Sequence, residues 1–434
     1  MNINAINRRL KILKKNWPNK KSILFRHRFT IDENQMHIFK KYIDKDDFLY
    51  MRFPDKEKTL IGYGQAIKHI SKNSFSQFSD RKYNIKSNVK SDHVDILGGA
   101  GFNIKKSEEY PWEGIPAVQF TIPRFLFSFI KNKTHLTYSC LITKHSKINE
   151  LLHEFEELQN SLSYKTNYKK TKIKLSKKHL IPNKKEHLKT IDVIKEKITE
   201  KVFKKAVLSR IEQYNISHNI DYYHIMDGLN KQYPNCFNFL IKFNKNNCFF
   251  GSSPEKIIEK NKHSYTTTAI AGTSKRNSLL KNKKEIEEHN YVVEHLKNTL
   301  KKYSKKFIVS KTQILKLSYT NHIQTNIKGN TLHEMHILDL LNIIYPTPAL
   351  SGFPIKKSLK IINELEPFSR GWYAGAIGMY NLNGNGSFHA PIRSALIKNN
   401  KIFLYSGGGI VNDSIGENEW EETNIKLHHL KSIF

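Results

Sequence analysis

The pattern of apolar and polar positions changes character along the chain. Before about residue 163, short apolar runs are broken by glycine and proline, as in Ile96-Leu97-Gly98-Gly99-Ala100-Gly101-Phe102 and Phe120-Thr121-Ile122-Pro123-Arg124-Phe125-Leu126-Phe127. Runs of this length with such punctuation predict sheet strands and tight turns. From Tyr164 to about Lys189 the sequence becomes polar and Lys-rich, with Lys169-Lys170, Lys177-Lys178 and Lys184-Lys185. That composition predicts a solvated connection or a surface helix. Beyond it, helices and strands alternate. Apolar residues at Val193, Ile194, Ile198 and Val202 predict a helix over Ile191 to Lys204, leading into the strand Ala206-Val207-Leu208. Ile286, Val292, Val293, Leu296 and Leu300 predict another over Lys284 to Tyr303, and late strands are expected at Ala374 to Tyr380, His389 to Ile397 and Ile402 to Tyr405. The expected organisation is 1–163 as the N-terminal part, 164–189 as the connection and 190–434 as the C-terminal part. Helices and strands without a regular βαβ cycle favour an α+β sandwich over a barrel.

Composition narrows the class. The 434 residues are 38 % hydrophobic and 26 % charged, which permits a sizeable core. No apolar stretch of about 18 residues occurs and the basic N-terminus lacks an apolar secretion segment, so a cytoplasmic protein with no membrane partner is expected. Cys140, Cys236 and Cys248 are scattered and odd in number, against a disulfide framework or a Cys-rich zinc site. The formal charge of +33 would suit nucleic acid. Only 11 of the 72 basic residues are Arg, however, and the lysines are spread among many Asn and Ile. Codon bias in an AT-rich genome explains that pattern without a nucleic-acid partner, because phosphate recognition favours the bidentate Arg fork. A cationic surface would still concentrate an anionic substrate.

Several constellations could carry chemistry. Glu285 and Glu288 lie one helical turn apart, and Glu419 and Glu422 repeat the spacing. Two such pairs face to face would make an oxygen-rich pocket for a hard divalent cation, Mg2+ rather than zinc, while the plain alternative is two solvated helix faces neutralised by lysines such as Lys284 and Lys426. Glycines in Ala271-Gly272-Thr273 and Gly407-Gly408-Gly409 would let main-chain amides approach an anion, although neither segment fits a phosphate loop or a dinucleotide fingerprint. Glu255, beyond an apolar strand and Pro254, gains general-acid character if desolvated. Lys205, opening an apolar strand, becomes a base if burial or a cation lowers its pKa. Arg393 sits inside the apolar run Ala390 to Ile397, where a buried guanidinium requires an anion.

Taken in order, these segments resemble the chorismate-utilising enzymes, most closely the isochorismate synthases. The resemblance is dense from Ile191 to Phe434 and rests on eight blocks: Lys205 to Arg210, Gly251 to Glu255, Ala269 to Thr273, Glu285 to Val293, Pro346 to Pro354, Glu364 to Phe368, Arg370 to Tyr380 and Gly407 to Lys426. In the first half it is weak, carried by Gly98 to Phe102 and Trp112 to Pro123. It implies a two-lobed sandwich of large antiparallel β-sheets flanked by helices. It also implies Mg2+-dependent conversion of chorismate to isochorismate, feeding menaquinone or siderophore synthesis, with salicylate synthase as the alternative. By position, Lys205 matches the base that activates water and Glu255 the acid that protonates the departing hydroxyl. Glu288 and Glu422 match the direct metal ligands, with Glu285 and Glu419 as the second carboxylate of each pair. Arg393, Tyr373 and the amides of Gly407 and Gly409 match the grip on the pyruvyl carboxylate. Gly272 and Thr273 line the ring pocket, with His322, Thr347 and Lys426 nearby. Relatives that add ammonia usually lack the lysine at 205, and the aminodeoxychorismate type has a lysine where Ala271 stands, so water is the implied nucleophile. A monomer or weak homodimer is expected. One departure is Tyr345, where the family usually has His before Pro-Thr-Pro; it implies altered hydrogen bonding beside the ring pocket.

Overall fold

The computed structural model describes residues 3–18, 20–79, 83–88, 94–106, 108–162, 173–216, 220–274, 279–316 and 321–434. Among these, twenty-one strands join through a connected set of ladders, and nine α-helices lie against them. Every ladder is antiparallel except the short pairing of Ile23–Ile31 with Ile85–Ser87. This is the expected α+β sandwich.

The central strands are buried on both faces, which is why they read as apolar runs and not as alternating patterns. Their residues divide between two cores with a period of two. Met51, Phe239, Phe249, Leu396 and Phe403 point into one core, and Tyr50, Leu240, Phe250, Ile397 and Leu404 into the other. The second core is closed by the helices Ile3–Lys15, Gln35–Tyr42, Tyr222–Gln232 and Gly416–Lys431. Strands from the two ends of the sequence interleave: Leu49–Phe53 pairs with Phe237–Lys242, and Ile96–Ala100 with Ala376–Tyr380.

The Lys-rich stretch carries more regular structure than its composition announces. Residues 163–172 lie outside the described set, but Leu175–Ile181 is a strand paired with Lys205–Ile216, and Lys184–Thr199 is a helix. Tertiary charge recruits the strand: Lys178 reaches the fully buried carboxylate of Glu212 at 3.1 Å. The helix starts at a capping box, with Asn183 accepting from the Glu186 amide, and so begins earlier than the apolar spacing suggested. Pro123 sits inside the strand Val118–Ile130 opposite a register shift in Lys58–Ser71, a place where a missing N–H is tolerated. The run His389 to Ile397 resolves into two strands, Gly386–His389 and Ser394–Lys398, because Pro391 and Arg393 intervene.

Candidate active site

Three strands and two helices build the site. The strand Lys205–Ile216 pairs with Lys401–Ile410, setting Gly407 opposite Ser209 and Gly409 opposite Val207. The third strand, Ser264–Ser274, slips register against Asn321–Thr331 between Ala271 and Thr273. Gly272 occupies that bulge with φ +78°, a left-handed conformation suited to glycine.

The helices deliver the acids. Lys283–Leu300 is capped by Asn282 and buries Glu285, His289, Val292, Leu296 and Leu300 on one stripe. Glu285 on a core-facing stripe is out of place energetically unless something answers its charge. Gly416–Lys431 likewise buries Glu419 beside Trp420 and Thr423. Both residues lie near helix N-termini, where the exposed N–H groups favour negative charge.

These elements, with the segments that carry Glu255, His322, Leu350, Tyr373 and Arg393, enclose a cleft of about 730 Å³, its open mouth included. Glu255, Gly272, Glu288, His322, Tyr373, Arg393, Gly407, Gly409, Glu422 and Lys426 all border it. Lys205 stands just behind this lining. It is fully buried, with Nζ 2.9 Å from Glu288 Oε1, an ion pair whose direction falls short of a hydrogen bond. Glu285 lies behind Gly272, whose missing Cβ would sit 3.1 Å from its Oε2. Glu419 lies behind Gly408 and accepts from Lys284 Nζ at 2.5 Å. Thr347 is buried one layer out, next to the lining residues Ala349 and Leu350, and its carbonyl accepts from Ser351 Oγ. The Thr273 side chain is outside the described set; its backbone pairs with His322.

The electrostatics separate the acids into different states. Glu255 is 4 % exposed, and burial pushes its carboxyl up to about 8 even though the charge on Lys205 opposes the shift. It therefore holds its proton at neutral pH. Burial also acts to raise Glu288, but Lys205, Lys284 and Lys426 outweigh it and hold this carboxyl below its ordinary range. Glu419 moves upward through burial and the neighbouring charge of Glu422, with Lys284 opposing. Lys426 is raised: burial works against its charge, yet Glu422, at 2.6 Å, and Glu288 prevail.

Each acid is thus answered by a lysine, and the lysines come from different elements. Among the described residues no three His, Cys, Asp or Glu side chains converge at metal-ligand spacing. The donor set nonetheless fits a hard dication in its chemistry: carboxylate oxygens on two helices, drawn against strands that carry glycine where a side chain would collide. At Gly409 a Cβ would fall 2.2 Å from Glu288 Oε1 and 2.9 Å from Lys205 Cε.

On the cationic side, Arg393 Nη2 donates to His322 Nε2 at 2.9 Å and Nη1 to His429 Nδ1 at 3.3 Å. His322 donates in turn to the Gly272 backbone, and burial with the charges of Arg393 and Lys426 keeps it neutral. Tyr373 stacks on Tyr405 with ring centres 4.9 Å apart.

Sequence reasoning missed two residues. By pattern Lys284 is a solvent-side neighbour of Glu285, yet it reaches a carboxylate 135 positions away. Arg370 stands out in the sequence only as the first residue of the block Arg370 to Tyr380. It lines the cleft and braces it, with Nε and Nη2 forked onto Glu366 at 2.8 and 2.6 Å and further bonds to the carbonyls of Leu350 and Val207. Glu366 also accepts the Ser209 amide at 2.7 Å, which fixes the strand bearing Lys205. Glu366 is the C-cap of the helix Ile355–Leu365 and Arg370 lies beyond it, so no helical spacing announces the pair.

The chain resembles known proteins over most of its length. Residues 11–434 match the family described as chorismate binding enzyme. The chain is 26 % identical to the isochorismate synthase MenF of Haemophilus influenzae, covering 92 % of each protein. It is 26 % identical to MenF of Bacillus subtilis over 86 % of this chain and 85 % of that one, and 31 % identical to the isochorismate synthase EntC of Escherichia coli over 53 % of this chain and 62 % of the relative. Its fold matches the solved structure of MenF, the menaquinone-specific isochorismate synthase from Escherichia coli, with a TM-score of 0.81, 21 % identity and 99 % of both chains covered. Anthranilate synthase component I from Streptococcus pneumoniae matches with a TM-score of 0.73 at 21 % identity, over 86 % of this chain and 92 % of that one. With a family model spanning nearly its whole length, the chain belongs to the chorismate binding enzymes.

Proposed function

We propose that the protein is an isochorismate synthase, serving menaquinone synthesis. The observation that carries the reading is a buried lysine and a buried, protonated glutamic acid at one cleft: Lys205 beside Glu288, and Glu255 held up to about 8. An exchange of hydroxyls requires one group that takes a proton from water and another that gives a proton to the departing oxygen.

Lys205, in its neutral form, takes a proton from water while the water oxygen bonds to C2 of chorismate. The ring double bonds shift and the C4–oxygen bond breaks. Glu255 gives its proton to the departing hydroxyl, which leaves as water. Arg393, Tyr373 and the amides of Gly407 and Gly409 would hold the pyruvyl carboxylate, with Gly272, Thr273, His322 and Thr347 around the ring. Glu288 and Glu422, supported by Glu285 and Glu419, would hold Mg2+. Bound there, the ion would receive the ring carboxylate and offset the acids that otherwise repel a dianionic substrate. Lys284 and Lys426 do part of that offsetting in the arrangement described. Val207, Ile270, Ala271, Leu350 and Ile392 supply apolar walls that exclude bulk water.

The proposal includes a monomer or weak homodimer working in the cytoplasm on a small molecule, without nucleic acid. No helix among the described residues is long and apolar enough to cross a membrane.

Incubating the protein with chorismate, with and without a chelator, and separating products by chromatography tests the reading. Isochorismate formed only without chelator is expected; salicylate plus pyruvate as the main product, or no turnover, refutes it. Two variants test the metal assignment. Glu422→Gln should raise the Mg2+ concentration for half-maximal rate roughly 10-fold or more; an unchanged Mg2+ titration removes Glu422 from the ligand set. In Gly409→Ala the new methyl group meets the ends of Glu288 and Lys205, side chains that give way more readily than backbone. Turnover should therefore fall by roughly 10²-fold or more with little change in melting temperature, and near-normal turnover contradicts the crowding argument.

A further inference from the structure

From the hydrogen bonding of Tyr345 we infer that this residue is a positioning residue for substrate binding, latching the turn that presents Tyr373 and Ala374 to the cleft. The inference rests on the proposed function for its choice of ligand, and on the geometry for the latch itself.

Ala374 borders the cleft with φ +55°, a left-handed conformation that an L-residue with a Cβ adopts only when its surroundings impose it. Three bonds impose it here. Its N–H donates to the Pro391 carbonyl at 3.3 Å, the following Gly375 N–H donates to the Trp372 carbonyl at 2.9 Å, and its own carbonyl accepts the Tyr345 hydroxyl at 2.9 Å. The peptide plane after Ala374 is thereby held from both ends.

The Tyr345 bond is the one made by a side chain from a distant element. Tyr345 is the C-cap of the helix Ile337–Ile344, and Phe75 meets its ring edge-on with centres 6.3 Å apart. Burial raises its phenol well above the ordinary value, so the hydroxyl keeps the proton it donates. Releasing this bond would let the peptide plane relax and carry Tyr373 with it. The Tyr373 phenol lies beside Ser209 at Gly407, where a Cβ would come within 3.0 Å of its oxygen. A small rotation of the turn therefore withdraws the phenol from the carboxylate it is placed to hold. Because that contact binds substrate and transfers no proton, its loss should appear in binding and leave the chemical step nearly intact.

Tyr345→Phe removes one oxygen and retains the ring packing. With chorismate turnover and calorimetric chorismate binding measured side by side, KM and Kd are expected to rise about five- to tenfold, with kcat within about twofold of the parent. Ala374→Gly, which accepts φ +55° without strain and frees the turn, should shift KM in the same direction. The double variant should be little worse than either single one, as expected for residues acting through one contact. Wild-type KM and Kd in Tyr345→Phe overturn the inference, whatever happens to the melting temperature, and so does strict additivity in the double variant. Should Tyr345→Phe fail to fold, Ala374→Gly alone decides, and an unchanged KM there also overturns it. A parent protein that binds chorismate but releases a different product counts against the reaction assigned above and leaves the latch to be judged by Kd.

Discussion

Replacing Lys205 by alanine is expected to lower chorismate turnover by roughly 10²- to 10⁴-fold, the usual contribution of a positioned base, while chorismate binding in the presence of Mg2+ stays close to normal. The lysine is wholly enclosed, its backbone clamped as its side chain is. Its carbonyl accepts from Ser358 Oγ at 2.8 Å, it pairs with Phe353, and Gly352 packs so closely that a Cβ there would meet the Lys205 carbonyl at 2.2 Å. Such over-determination aims one amine at one place, which is what a base needs and an ordinary snorkelling lysine does not. Breaking a buried ion pair from one side usually costs about 3–5 kcal/mol. Here Glu288 retains Lys284 and Lys426 as neighbouring cations, so the loss in stability should be smaller than that. Steady-state kinetics with a denaturation curve on the same sample separates the two effects. A variant that folds and turns over chorismate at the parental rate would remove Lys205 from the mechanism.

Glu255→Gln should lower turnover by a comparable factor, roughly 10²- to 10⁴-fold, and should also change how stability depends on pH. The carboxyl titrates near 4.5 when unfolded and near 8 when folded, so between those values the native state holds a proton that the unfolded chain has released. Stability from this group is therefore complete below about pH 4.5 and is lost as pH rises through about 8. Glutamine cannot ionise, so the variant should resist the alkaline part of that decline. The parental rate should fall as pH climbs past about 8, since only the protonated acid can assist the leaving hydroxyl. Denaturation midpoints of parent and variant from pH 5 to 9 check the linkage: the difference should shift in favour of the variant as pH rises. Parallel curves would show that Glu255 is not held protonated by burial.

Much of the site was legible because the chemistry requires residue types that are costly where the pattern puts them. A carboxylate on the buried stripe of Lys283–Leu300, a lysine opening an apolar strand and an arginine within Ala390 to Ile397 are each expensive in a plain core, and each proves buried at or beside the cleft. The glycines could be placed in turns or beside a ligand from sequence, but their use is tertiary. Gly272 and Gly409 make room for the side chains of Glu285 and Glu288, which belong to other elements. The same holds for Lys284, whose partner Glu419 lies on the C-terminal helix, and for the strand Leu175–Ile181, recruited by Glu212 across the sheet edge. Local composition carries no record of such pairings. The fold class was readable from the mixture of helices and punctuated apolar runs, but the sharing of central strands between two cores was not, since burial on both faces erases the alternation that reports a strand's orientation. Tyr345 shows the intermediate case: the sequence marked the position as a departure, and the structure supplies the Ala374 carbonyl that the hydroxyl holds.

The central claim is that the buried lysine delivers water to the ring as the buried glutamic acid releases a hydroxyl from it. Turnover of chorismate in water labelled with heavy oxygen, followed by mass spectrometry of the product, tests this most directly. The account predicts isochorismate carrying one labelled oxygen, at C2, with the original C4 oxygen lost to solvent. Isochorismate that keeps all of its original oxygen atoms would contradict it.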